Sequence, residues 1–312
     1  MKTIRFFTTA MMAIGLIFFI DLLYTGCKKD TASPTASPSN TGVAAASDNS
    51  IASSSVDDVT NTVNEAMMVS QSGSARISDE DRPQTSCARI SANLTDAINH
   101  TLLINYGTTD CLGKDGNYRR GEIIVTWTGP FYGPGASHTI TFNNFFVNFN
   151  QIMGNIVVLE KGVNTSGMLT FAITVKGSVI VSPLYSANNT SSTIVFNADL
   201  VKEMITGAET SLSDRDDVFL IWGTASGITQ AGIPFKATIT ADNALRKEIG
   251  FMNFTKGIIN ITMALPDGQT IVSIDFSYLN SQRDNLAMVN INGHKLLVQL
   301  NTGSFELLSE HI

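Results

Sequence analysis

Thr170-Phe-Ala-Ile-Thr-Val-Lys176 is the stretch on which the fold turns. Phe171, Ile173 and Val175 fall on one face, and Thr170, Thr174 and Lys176 on the other. That period of two is the signature of a strand with one buried face. Ile258 to Leu265 repeats it, with Ile259, Ile261, Met263 and Leu265 aligned. Pro266-Asp267-Gly268 then turns the chain into Val272–Phe276. Asn292-Gly293 separates Ala287–Ile291 from Lys295–Leu300. Asn-Gly between alternating runs is a strong hairpin signal, because both turn positions need positive φ. From Cys87 onward about a dozen such runs follow one another, joined by short turns. The expected fold is therefore all-β: an antiparallel meander in a sandwich or an extended sheet, with one short N-terminal helix.

Two stretches echo each other. Ile104-Asn-Tyr-Gly107 leads to Arg120-Gly121 and Ile123–Val125, and Ile274-Asp-Phe-Ser277 leads to Asn292-Gly293 and Leu296–Val298. The echo allows two related β modules within 87–312, split near 185–210; the alternative is ordinary likeness between hairpins.

Upstream of the strands the composition changes. Residues 28 to about 55 are rich in Ser, Thr, Ala, Pro and Asn, as in Thr31-Ala-Ser-Pro-Thr-Ala-Ser-Pro38, and read as a disordered tether within 27–86. Val56, Val59, Val63 and Met67 recur at helical spacing, which predicts one helix near 56–69 leaning on the domain edge. Asp57 and Asp58 would then sit in its first turn, where they suit the helix dipole.

The first residues read as an address. Lys2 and Arg5 precede an apolar stretch from Phe6 to Tyr24, followed by Thr25, Gly26 and Cys27. That is the order of a secretory signal, here over residues 1–26. Asp21 argues against a spanning helix, since a charge at the bilayer centre costs about 3 kcal/mol. Leu23-Tyr-Thr-Gly-Cys27 resembles a bacterial lipobox, although Tyr24 stands where Leu is usual. The resemblance implies that Cys27 carries the lipid and becomes the first mature residue.

Cys87 and Cys111 remain as a pair in a chain bound for an oxidising compartment, and a disulfide between them is expected over free thiols or metal ligands. The chain also resembles a group of uncharacterised Bacteroidetes lipoproteins. The residues that carry this are Ile104–Gly107, Asp110-Cys111, Lys114–Gly116, Arg119–Val125, Phe142–Asn144, Val147-Asn148 and Ile152–Gly154, with Ile274–Phe276 and Ala287–Val298 near the end. The resemblance implies a lipid-anchored protein of the periplasm or cell surface, and points to no known activity.

Composition narrows the function. The 312 residues carry 20 Lys+Arg against 27 Asp+Glu, a net charge of −7, which argues against a phosphate-binding surface for nucleic acid. Charged residues are 15% of the chain, and the mean hydropathy is +0.12. His100, His138, His294 and His311 form no HExxH or close pair, so neither a metal nor a cofactor is expected. Asp214-Arg-Asp-Asp217 lacks the Gly and terminal Glu of a calcium loop. Gly223-Thr-Ala-Ser-Gly227 is not a nucleophile elbow and reads as a turn after a strand ending at Trp222. Four aromatics, Trp127, Phe131, Tyr132 and Trp222, lie near strand ends. The loop Gly129-Pro-Phe-Tyr-Gly-Pro-Gly135 is the most suggestive binding element, because its rings could stack on sugars. The combined expectation is a non-enzymatic lipoprotein of the cell envelope, held at the outer membrane by its lipid. Its role would be binding or structural, with a glycan or an envelope protein as partner. A carbohydrate-binding accessory lipoprotein and a secreted hydrolase are the alternatives.

Overall fold

A computed structural model describes residues 38–72, 84–96, 98–181, 190–208, 216–251, 253–265, 268–277, 285–300 and 305–311. Cys27, the signal over 1–26 and the tether up to residue 37 lie outside them. One α-helix, α1 (Pro38–Ser72), precedes a run of strands. These are β1 (Arg89–Asn93), β2 (Asn99–Asn105), β3 (Cys111–Leu112), β4 (Tyr118–Thr128), β5 (Ser137–Val147), β6 (Asn150–Val163), β7 (Leu169–Val181) and β8 (Ser192–Thr206). The second half holds β9 (Val218–Ile228), β10 (Pro234–Ile239), β11 (Leu245–Glu248), β12 (Ile258–Leu265), β13 (Gly268–Asp275), β14 (Leu286–Ile291), β15 (His294–Leu300) and β16 (Phe305–His311).

All sixteen belong to one antiparallel sheet in meander order, with β3 beside β4 and β11 beside β9 as side branches. The all-β reading holds. A division near 185–210 does not: β7 and β8 pair without a break from Leu169↔Met204 to Val181↔Ser192, and β8 continues onto β9. Residues 38–312 form one compact unit. The two echoing stretches lie in a single sheet and differ in form: Gly121 is at a bulge inside β4, whereas Asn292-Gly293 is a hairpin turn. Gly223–Gly227, expected as a turn, is the middle of β9 and pairs with β8 and β10.

Along each strand the apolar positions face inward. Ile104, Ile123, Ile140, Ile194, Ile259, Val272 and Val298 are completely buried. Thr101, Thr126, Asn197, Thr224, Thr238 and Asn260 on the other face are exposed. The Asn292-Gly293 hairpin is present, with φ of 50° and 98°. The sheet bends at paired irregularities, of which Gly121 is the clearest. It sits at the bulge between Arg120 and Glu122 with φ 84°, and a Cβ there would run into the Asn144 carbonyl. Only glycine allows that approach.

The helix lies inside the curl of this sheet. It touches β1 and β2, β7 and β8, and β13, β14 and β16, which are the two ends and the middle of the strand path. A sheet can meet one helix that way only by wrapping around it. Ala46, Ala52, Val59, Thr62, Val63 and Ala66 are fully buried, and so are residues on other faces of the helix, such as Asn49 and Glu65. Gly42 leaves room for the Ile291 side chain of β14 to pack onto the helix backbone.

This corrects two expectations. The helix begins at Pro38, not near 56, so most of the expected tether is helical. It is also the centre of the core and does not lean on an edge. The physical reason is in its small residues: Ala45, Ala46, Ser50, Ala52 and Ser53 let strands approach from several sides, and no single apolar stripe is needed. Pro38 opens the helix, where its missing N–H leaves no bond unmade. No helix among the described residues is long and apolar enough to cross a membrane.

Candidate functional site

The four aromatics singled out from the sequence do not form one surface. Trp127 (6% exposed) and Phe131 (8%) are core residues, packed edge to face with centroids 5.0 Å apart. His138 stacks on Phe131 at 4.4 Å, and burial pushes its imidazole down to about 4. Tyr132 alone of the loop pair is exposed, at 42%. Trp222 is half-buried on β9, with β5 to β8 between it and Trp127. The Gly129–Gly135 loop folds its Phe inward and is tied to β6: the Gly133 N–H donates to Glu160 Oε2 (2.9 Å), and the Gly135 N–H to the Glu160 carbonyl (2.8 Å).

Cys87 and Cys111 form the expected disulfide, with Cα atoms 6.5 Å apart. It joins the segment before β1 to β3. In the chain-entropy account such a bridge stabilises by about 3 kcal/mol.

The charged chemistry of the interior is concentrated where α1 meets the sheet. Asp57 accepts from Lys202 Nζ at 3.1 Å and pairs with Lys247 Nζ at 3.3 Å. Burial alone would raise its pKa, but Lys202 and Lys247 outweigh that and hold the carboxyl below its usual range. Lys202 also donates to Asn61 Oδ1 (2.5 Å) and sits over the Phe219 ring. Next along the helix, Asp58 and Asp115 clasp the fully buried Arg119 guanidinium, whose Nε donates to Asp58 Oδ2 at 3.1 Å. Burial works against the charge of Arg119, and the two carboxylates more than restore it. Glu65 accepts the N–H groups of Gln84 (3.0 Å) and Thr85 (2.7 Å), and Asp48 accepts the Gln230 N–H (2.8 Å). Asp57 and Asp58 are thus mid-helix ligands of sheet cations and not first-turn dipole partners.

Beside this network is a cavity of about 60 Å³, lined by Ser47, Ser50 and Ser54 of the helix, by Asp58, and by Asn117 and Asn148 from the β4 and β5–β6 ends. Asn148 donates to Asn117 Oδ1 (2.8 Å), and Asn117 to Asp115 Oδ2 (2.9 Å). Hydroxyls and carboxamides line one part of it and Ile51, Val147 and Phe305 the rest, so its polar part suits water.

On the outside of the same β4–β5–β6 end lies an aromatic face that sequence reading missed. Tyr118 (39% exposed) stacks on Phe149, with centroids 5.5 Å apart and planes at 29°. Leu112, 55% exposed, pairs beside Tyr118. One row further, Arg120 lies 3.6 Å above the centre of the Phe146 ring, and Gln151 stands opposite Phe146 across the strands. Parity along β4 decides this arrangement: Arg119 points inward, so Tyr118 and Arg120 point out.

Asp217, from the acidic loop noted in the sequence, is pushed up to about 7 by burial and then by Asp216. Asp214 and Arg215 lie outside the described residues. Among the described residues no group of three or more His, Cys, Asp or Glu is placed to hold a metal ion. No protein-family model, curated protein or solved structure matches this chain.

Proposed function

We propose that the chain is a non-enzymatic lipoprotein of the cell envelope, anchored at the outer membrane through Cys27, with a binding or structural role. The observation that carries the non-catalytic part is the fate of the interior charges. Asp57, Asp58, Arg119 and Lys202 are consumed in helix-to-sheet ion pairs that hold the core together, and the cavities they line among the described residues measure only about 60 and 20 Å³. The anchoring part is supported by the lipobox-like Leu23–Cys27 run and by the resemblance to Bacteroidetes lipoproteins. Two acyl chains or more are what stable attachment needs, and lipobox processing supplies them.

The start of the helix changes the character of the anchor. Only Lys28–Ser37 separate Cys27 from Pro38. Ten residues span at most about 35 Å when fully extended. The body is therefore held close to the bilayer and does not roam on a long leash. Metabolic labelling with an alkyne palmitate analogue tests the anchor: the wild-type chain takes up label and pellets with membranes, and Cys27→Ala does neither. Label retained in Cys27→Ala would overturn it.

A further inference from the structure

We infer that the outer face formed by Tyr118 and Phe149, with Leu112, Gln151 and the Arg120 guanidinium stacked on Phe146, is a stacking platform for neutral pyranose saccharides. This deepens the binding role proposed above and does not depend on the lipid anchor.

The first argument is the backbone of Phe149. The β5–β6 turn is a two-residue hairpin loop, with Val147 pairing Asn150 and φ of 48° at Asn148 and 68° at Phe149. The β14–β15 turn of the same chain has the same form, with Ile291 pairing His294 and φ of 50° and 98° at Asn292 and Gly293. One turn uses the relaxed Asn-Gly pair and the other places a phenylalanine in the left-handed region. A bulky side chain there is strained, and such outliers collect at functional positions. What the turn gains is a second, half-buried ring stacked on the exposed Tyr118, with the two planes at 29°.

The second argument is the chemistry around the rings. Flat apolar faces match the C–H faces of pyranose rings, and planar polar groups at their edge match paired hydroxyls. Here the planar groups are the Gln151 amide, opposite Phe146, and the Arg120 guanidinium, which lies over the Phe146 ring. Arg120 is ion-paired with Asp110 at 2.6 Å, so its charge is already balanced. That balance points to a neutral saccharide over an acidic one.

The test is affinity electrophoresis of the full chain in gels cast with dextran, mannan, laminarin or xylan, with alginate as the acidic comparison. The wild-type chain is expected to be retarded in at least one neutral gel. Tyr118→Ala and Phe149→Gly should each weaken that retardation about tenfold, which corresponds to the loss of one stacked ring. Tyr132→Ala, an exposed aromatic outside the platform, should leave it unchanged. Phe149→Gly also separates function from folding: it relieves the strained φ, so its melting temperature should equal or exceed that of the wild type. No neutral retardation, retardation in alginate alone, or full retardation of Phe149→Gly would overturn the proposal. So would a fall in melting temperature in Phe149→Gly, or a self-association of the chain that this variant abolishes. Labelling at Cys27 is independent of all these outcomes, so the platform and the anchor fail separately.

Discussion

His138 is a residue whose burial has a readable consequence. It lies under Phe131, 7% exposed, and is held neutral with a pKa near 4, against 6.5 when free. In the unfolded chain it takes up a proton as pH falls through 6.5, while the folded chain refuses it until about 4. The fold therefore has its full His138 contribution above pH 6.5 and loses it progressively down to about 4. The difference corresponds to about 3 kcal/mol. Urea unfolding of wild type and His138→Phe at pH 7 and pH 4.5 checks this: the gap between the two proteins should shift in favour of the variant at the lower pH. The sequence showed four histidines and no motif. It could not show that one of them sits in an aromatic stack, because burial depends on which way the strand faces.

The helix is the element on which stability depends most. Asp57 sits between Lys202 and Lys247 with 3% of its side chain exposed. Asp57→Asn leaves two buried ammonium groups short of a counter-charge and should cost about 3–5 kcal/mol. Replacing Asp57, Lys202 and Lys247 together by apolar residues of similar volume should cost much less, since no charge is then left alone. Chemical denaturation of the two variants distinguishes these outcomes. The apolar positions Val56, Val59, Val63 and Met67 were legible from spacing, but the helix upstream of them was not. A Ser/Ala/Asn-rich segment looks like a tether unless something encloses it on all sides, and here the enclosing sheet comes from sequence that follows it. Small side chains that would carry no core in an exposed helix become the close-packing surface of an enclosed one.

At the scale of the molecule, the meander was legible because alternation and turns are local. The curl was not, because it depends on bulges such as that at Gly121 and on what fills the hollow. The aromatic platform was missed for a related reason. Trp and Phe in strands signal mass but not direction, and the exposed Tyr118 and half-buried Phe149 sit beside a buried arginine that pairs with Asp58 of the helix. Enclosure of α1 sets the outcome of truncation. Removing residues 1–37 should leave the thermal transition of the body unchanged, since the helix is intact. Removing residues 1–55, a cut the tether reading would permit, takes away Ala45, Ala46, Ile51 and Ala52 from the core and should abolish the cooperative transition. Circular dichroism melts of both truncated chains decide between the two pictures.

The sequence distances between the helix and its partners imply a direction of assembly. Glu65 finds Gln84 only 19 residues later, and Asp58 finds Arg119 after 61. Asp57 waits 145 residues for Lys202, Asp48 waits 182 for Gln230, and Ser47 waits 258 for the N–H of Phe305. The helix is made first and is closed over from its C-terminal end backwards, so its N-terminal end is the last part to be sealed. Contacts so far apart form slowly, and the exposed intermediates that precede them are prone to aggregate. A chain emerging N-terminus first would thus carry its own core, uncovered, until β16 arrives. Its dependence on a holding chaperone should fall most heavily on variants that slow β16.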